Sequence, residues 1–287
     1  MRYAGFYVNL DRCEDRRIKI EQELANHGLG GKYTRFSASD GNAMGFPNPV
    51  GLRDSELGCF TSHYRLLKEN RGSALPLHVM EDDIVLSKTF NYVMDQVLSG
   101  KELDNYDILY TDISTSMLDL NFVRFKQCYD QHVKRDKDGK IEHLGFTVVD
   151  LSDVLFCSTC SFIVNPKSID KLLSLYETEL KNGARGPIDI YLLTLCQHGQ
   201  IKAGTIFPFI TSVPADTRLN TTVHNRSDLL TVHASILLRR SFYADCNLEE
   251  CAKEAAELFP QPDPSDPHCR FLMSLTGFLL SGKYTKV

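Results

Sequence analysis

The chain has 287 residues, enough for one large α/β domain or one domain with an appendage. Its 43% hydrophobic and 24% charged residues are a globular mix, and a net charge of −5 leaves no global attraction to nucleic acid. An anionic ligand therefore has to be met by local cations or by a metal ion. No stretch approaches the ~20 uninterrupted apolar residues of a membrane-spanning helix. The opening MRYAGFYVNLDR lacks the apolar core of an export signal. The nine cysteines are odd in number and scattered, so reduced thiols in a cytoplasmic protein are expected.

In chain order, GFYVNL reads as a strand ending in the polar pair Asp11 and Arg12. EDRRIKIEQELANHG reads as a helix, with Ile20 and Leu24 four apart and Gly28 as its stop. KYTRFSAS follows as a strand, GNAMGFPNPVG as a loop and DSELGCFTSHYRLLKENRG as a helix. Next come the strand LPLHVM, three carboxylates, a helix around Phe90 to Leu98 and the strand YDILYT. From Phe122 to Asp153 the pattern weakens, and QHVKRDKDGKIEH reads as an exposed charged loop or hairpin tip. DVLFCSTCSFIV is strand-like, and Asn165 and Pro166 open a helix through ETELK as cap and first turn. GARGPIDIYLLTLCQHGQ reads as loop, helix and glycine stop, and TIFPFITSV as a further strand. Beyond Asn225 three helical stretches follow, with the Pro-rich linker QPDPSDP before the last.

This alternation predicts an α/β fold, with a mostly parallel central sheet, helices on both faces and a helical C-terminal appendage. The expected division is a domain over 1–213 and a helical region over 214–287 packed on it. In such sheets ligands bind beyond the carboxyl ends of the strands. Glu81, Asp82 and Asp83 stand at one such end. In an extended segment Glu81 and Asp83 share a face, with Asp82 opposite. Paired carboxylates open to a crevice suit a hard divalent ion such as Mg²⁺ or Mn²⁺, which relieves their repulsion. The competing reading is a solvated acidic turn at the start of the following helix.

Several segments together, YVNLDRCEDRR, FSASDG, ELGCFTSHYRLL, VMEDDI, a Gly/Cys/Ser-rich strand and PIDIYLL, resemble glycosyltransferase family 25 in the same order over roughly residues 3 to 210. The family includes lipopolysaccharide and collagen galactosyltransferases. The resemblance implies a GT-A type nucleotide-binding fold, a UDP-sugar donor, a glycan acceptor, Mn²⁺ (or Mg²⁺) and inversion at the sugar carbon. It implies Asp83 as a direct metal ligand, with Glu81 or Asp82 placing the metal or the ribose. Asp189, in PID, becomes the general base. The family carries glycines around the segment that here reads CSTCSF, where Ser158 and Thr159 would meet the donor sugar. A C-terminal histidine often completes the metal site in inverting relatives, and His224 and His233 are available.

Further nucleotide or sugar contacts are expected from Asn9, Arg12 and Arg16 after the first strand, and from Ser39 and Asp40 after the second. Ser62 and His63 on the helix before the carboxylates, and Asp112 at the end of YDILYT, complete the set. The structural alternatives are a solvated helix face, an Asx-capped turn, a packed histidine and a cap. Cys157 and Cys160 read as small buried hydrophobes. Phe271, Leu272, Leu275 and Leu279 read as a packing stripe, with a peripheral contact to the inner membrane as the alternative. Two other functions use the same residues: a Mg²⁺-dependent phosphohydrolase, and a non-catalytic nucleotide-sugar-fold binding protein.

Overall fold

The apolar run Ala4–Asn9 forms strand β1 in the computed structural model, which describes residues 3–115, 121–136, 141–214, 229–259 and 263–281. Its neighbours Tyr7 and Val8 enter different hydrophobic clusters, one on each face of the strand. Helix α1 (Glu14–Asn26) leads to β2 (Tyr33–Ser37), which pairs parallel with β1. Gly28, just past α1, has φ 69°, a conformation glycine adopts without steric cost. Helix α2 (Asp54–Glu69) then crosses to β3 (Leu77–Glu81) on the other side of β1.

The two crossovers lie on opposite faces of the sheet. Ile20 and Leu24 of α1 join the cluster of Tyr7 and Met80, whereas Leu57, Phe60 and Tyr64 of α2 join that of Val8 and Val79. The chain thus reverses its winding between β1 and β3, and such a reversal opens a crevice outside the carboxyl ends of those strands.

After β3 come β4 (Val85–Leu86), α3 (Phe90–Ser99), β5 (Ile108–Tyr110) and β6 (Ser114–Thr115). Helix α4 (Asn121–His132) leads to the hairpin β7 (Val133–Arg135) and β8 (Ile141–Leu144), then β9 (Thr147–Asp150). β10 (Phe156–Cys157), β11 (Ser161–Val164), α5 (Ile169–Lys181), α6 (Ile188–Gln197), β12 (Ala203–Phe207) and β13 (Thr211–Ser212) follow. The last helices described are α7 (Leu229–Ser241), α8 (Leu248–Leu258) and α9 (Pro267–Leu280).

The central sheet has seven strands in the order β2-β1-β3-β11-β5-β12-β9. β2, β1, β3, β5 and β12 run one way, and β11 and β9 run against them. The mostly parallel α/β sheet with helices on both faces is therefore present.

Four expectations need correction. The run DVLFCSTCSFIV is two strands: β10 pairs with β6 and β11 with β3 and β5. TIFPFITSV likewise divides into β12 and β13, and β13 pairs with β4. The weakly patterned stretch after Asn121 contains helix α4. Its helical periodicity is thin because its anchor is tertiary: Phe125 packs at 5.1 Å from Phe207 and 5.9 Å from Phe242. Finally, α9 buries no residue, and Phe271, Leu272 and Leu275 are 62%, 48% and 43% exposed, so this stripe is not core.

Among the described residues after 214, Tyr243 bridges to Phe209, between β12 and β13, and Asp245 accepts a 2.7 Å bond from the Lys88 amide just past β4. Phe60 is fully enclosed and meets Tyr176 edge-on at 5.5 Å. Phe60→Ala should cost about 3–5 kcal/mol, read as a lower urea midpoint at unchanged slope.

Candidate functional site

β1 and β3 are neighbours, and Val8 pairs with Glu81 in register. Asn9 therefore ends one strand beside the start of the carboxylate run on the other. Its amide nitrogen donates to Asp82 at 2.6 Å and to the Cys13 carbonyl at 3.0 Å, and its side-chain oxygen accepts from Arg35 at 2.9 Å. Asn9 thus ties the start of α1 to the end of β3. In the first turn of α1, Arg16 pairs with Asp82 at 3.0 Å and also with Asp83. A cleft of ≈ 360 Å³ opens there, lined by Arg12, Cys13, Glu14, Asp15 and Arg16.

One guanidinium serves two of the three carboxylates, and the acidities of Glu81 and Asp82 reflect the crowding. Glu81 is raised above the ordinary carboxylate range, first by burial and then by the charge of Asp83. Burial also raises Asp82, against the pull of Arg16 and the Asn9 amide. Glu81 has two further neighbours: Thr159 donates its hydroxyl at 3.0 Å and the Cys160 thiol lies at 3.9 Å. Carboxylate oxygens of Glu81 and Asp83 lie within 4.8 Å of each other and of the Cys160 sulfur. Asp83 Oδ1 is buried with no hydrogen-bond partner. An orphaned buried oxygen beside a second carboxylate fits a divalent cation held by Glu81 and Asp83.

The turn that faces this cluster has an unusual backbone. Ser158 has φ 109°, a region that L side chains rarely adopt. Its amide caps the carboxylate of Asp189, which also accepts from the Ile190 amide at 2.9 Å. Asp189 opens α6, and burial raises its pKa against those two bonds. The half-buried Cys59 feels both centres: burial, then Glu81 and Asp189, push its thiol up.

The other expected contacts divide into exposed and enclosed groups. Arg12 and Asp40 pair with each other at the rim, 59% and 67% exposed. Ser39 is buried, donates its amide to the Ser62 hydroxyl at 2.8 Å and accepts from Arg65 at 3.1 Å. Ser62 is fully enclosed and donates to the Gly58 carbonyl at 2.6 Å, so it braces Ser39 and is not presented to a ligand. His63 is buried against the Phe162 ring at 5.4 Å, and burial lowers its pKa to about 4. Asp112 is also enclosed; it is ion-paired to Arg239 of α7, with Nε at 2.8 Å, and is closed to a sugar. His224 lies outside the described residues. His233 is on α7, and none of the groupings of metal donors among the described residues includes it.

Sequence reading missed Arg239, gave Cys160 only as a small buried hydrophobe, and gave Thr159 to the donor sugar with no link to Glu81. The Arg239 guanidinium reaches the Cys160 sulfur at 3.6 Å as well as Asp112. No local signal joins positions 127 residues apart. Cys160 carried one signal, its place beside Ser158 and Thr159.

A family model described as glycosyltransferase family 25 (LPS biosynthesis protein) matches residues 4–190. The chain belongs to glycosyltransferase family 25. A glycosyltransferase 25 family member of Drosophila pseudoobscura pseudoobscura is 26% identical over 191 residues, 60% of this chain and 28% of the relative. Its counterpart in Drosophila melanogaster is 23% identical over 191 residues, 60% and 29% of the two chains. The match thus spans under a third of these relatives. The galactosyltransferase LgtC, crystallised with donor and acceptor sugar analogues, overlays at TM-score 0.35 with 13% identity, covering 90% of this chain and 97% of that one. So loose an overlay carries no argument.

Two outcomes follow from this geometry. Ser158→Gly should leave stability within about 0.5 kcal/mol, whereas Ser158→Val should cost roughly 1–3 kcal/mol in urea unfolding, because a branched side chain is strained at positive φ. The raised Glu81 makes the folded, metal-free protein hold a proton that the unfolded chain has released. Stability should therefore fall as pH rises from the ordinary carboxylate range toward Glu81's raised value, and melting curves of Glu81→Gln should lack that fall.

Proposed function

We propose that this chain transfers a hexose, galactose before glucose, from a UDP-sugar to a hydroxyl of a glycan acceptor such as lipopolysaccharide, inverting the anomeric carbon. The observation that carries the reading is the convergence of Glu81 and Asp83, with one oxygen orphaned, at the β1–β3 crevice. Family membership and the strand-end placement support a GT-A type nucleotide site there.

Glu81 and Asp83 would hold Mn²⁺ or Mg²⁺. Such an ion, when bound, supplies charge to a departing diphosphate, a contribution of several kcal/mol. Arg16, on the first turn of α1 and already among the carboxylates, is placed to meet phosphate oxygens. Asn9 and Asp82 fix that helix start against β3, and Arg12 with Asp40 and Ser39 line the nucleotide side. Asp189 accepts the proton of the attacking hydroxyl; its raised pKa makes it a better base than a solvated aspartate. Two amides orient its carboxylate. Ser158, in the same turn, is the donor-sugar contact.

The proposed catalytic unit is residues 1–213, with 214–287 packed on it and contributing Arg239. A cytoplasmic setting fits this substrate class, and the exposed apolar side chains of α9 support a peripheral contact with the inner membrane.

A donor screen tests the reading: UDP released from UDP-galactose and UDP-glucose, with and without Mn²⁺. Mn²⁺-dependent release is expected, and phosphate release without any UDP-sugar turnover would replace the transferase by a phosphohydrolase. Asp189→Asn should lower turnover by roughly 10²–10⁴-fold while UDP affinity holds. Asp83→Asn should remove the Mn²⁺-dependent thermal stabilisation by UDP.

A further inference from the structure

Glu81 stands where two sets of donor atoms meet. On one side are Asp83 and Cys160; on the other, the Cys59 sulfur, a His63 ring nitrogen and a Glu81 oxygen all lie within 4.8 Å of one another. Cys59 and His63 are four residues apart on α2, so they project from one face of that helix. That face meets the end of β3. Both side chains are held in place: the His63 ring packs on Phe162 at 5.4 Å, and the Cys59 sulfur sits 3.9 Å from the Thr159 hydroxyl.

The two donor sets differ in chemistry. Oxygens of Glu81 and Asp83 suit a hard ion. One thiolate, one imidazole and one carboxylate suit a softer ion, with Zn²⁺ the commonest, and three protein ligands leave a fourth position open. Both sets draw on the one Glu81 carboxylate, so an ion in either set changes the charge and the orientation that Glu81 offers the other.

We propose that Cys59, His63 and Glu81 form a second site, for a thiophilic divalent cation such as Zn²⁺, and that filling it draws Glu81 away from Asp83. The Cys59 thiol gives up its proton to solvent as the sulfur–metal bond forms. Zn²⁺ is then an inhibitor that competes with Mn²⁺ for a shared ligand. This competition rests on the transferase reading of Glu81 and Asp83; the binding itself does not.

Co²⁺ is the probe, because a cobalt–thiolate bond has its own charge-transfer absorption. The reduced 287-residue protein is titrated with Co²⁺ alone. The expected result is a saturable thiolate–cobalt band that Zn²⁺ abolishes. Cys59→Ser should weaken Co²⁺ binding by at least ~10²-fold, more than outer-sphere changes give. No band in the unaltered protein, or a full band in Cys59→Ser, overturns the site. His63→Gln reads the same site if the serine variant unfolds. In the donor assay, Zn²⁺ should inhibit Mn²⁺-dependent UDP release, and Cys59→Ser should relieve it. Inhibition that persists in the variant overturns the competition. Absence of any turnover overturns only the transferase reading, and the cobalt band still decides the site.

Discussion

Three consecutive carboxylates where β3 leaves the sheet are the constraint around which the crevice is built. At 4 Å, like charges repel by about 1 kcal/mol in water and about 4 kcal/mol near a protein surface. One guanidinium, that of Arg16, serves two of the three, and the Asn9 amide and Thr159 hydroxyl add partial compensation. Burial, and then the charge of Asp83, leave Glu81 with a raised pKa. A fold needing only stability would place neutral side chains here. The elements around the run, α1 through Arg16, β1 through Asn9 and the turn before β11, hold the charges together against their repulsion.

The turn at residues 158–160 connects the two halves of the crevice. Its amide at Ser158 orients Asp189, and its next two side chains touch Glu81. β11 runs antiparallel between β3 and β5, so the chain enters the sheet at the edge where the parallel strands leave it. A parallel strand in that slot would have brought its starting residues to the opposite edge. The reversed strand is therefore what carries Ser158, Thr159 and Cys160 to the carboxylates, and the positive φ of Ser158 is part of how the chain makes the approach.

Much of the architecture was legible because its signals are local. Ile20 and Leu24 four apart, Gly28 as a stop, and Asn165 before Pro166 each act within one helical turn. The Asn165 side chain does accept the Lys167 amide at 3.0 Å. The approach of Glu81 and Asp83 was expected from strand alternation, but β3 ends at Glu81, and Asp82, expected on the opposite face, meets the same Arg16 as Asp83. Strand direction was not: the apolar run of β11 looks the same read either way. Nor was α4, whose burial depends on phenylalanines more than 80 residues away along the chain. The enclosure of Ser62 and Asp112 was equally hidden, because a polar residue at a strand or helix end gives no sign of what will cover it. The apolar stripe of α9 obeys helical spacing, yet spacing says nothing about whether a partner surface exists.

The ion pair between Asp112 and Arg239 bears on what the family-matched segment is. That segment closes at residue 190, before β12, an interior strand between β5 and β9, and before the guanidinium that neutralises Asp112. Cut at its boundary, the matched stretch would open a gap in its own sheet and leave an enclosed negative charge without a counterion, a defect worth several kcal/mol. The recognisable signature of the family and the smallest piece of polypeptide able to fold are, in this chain, different lengths.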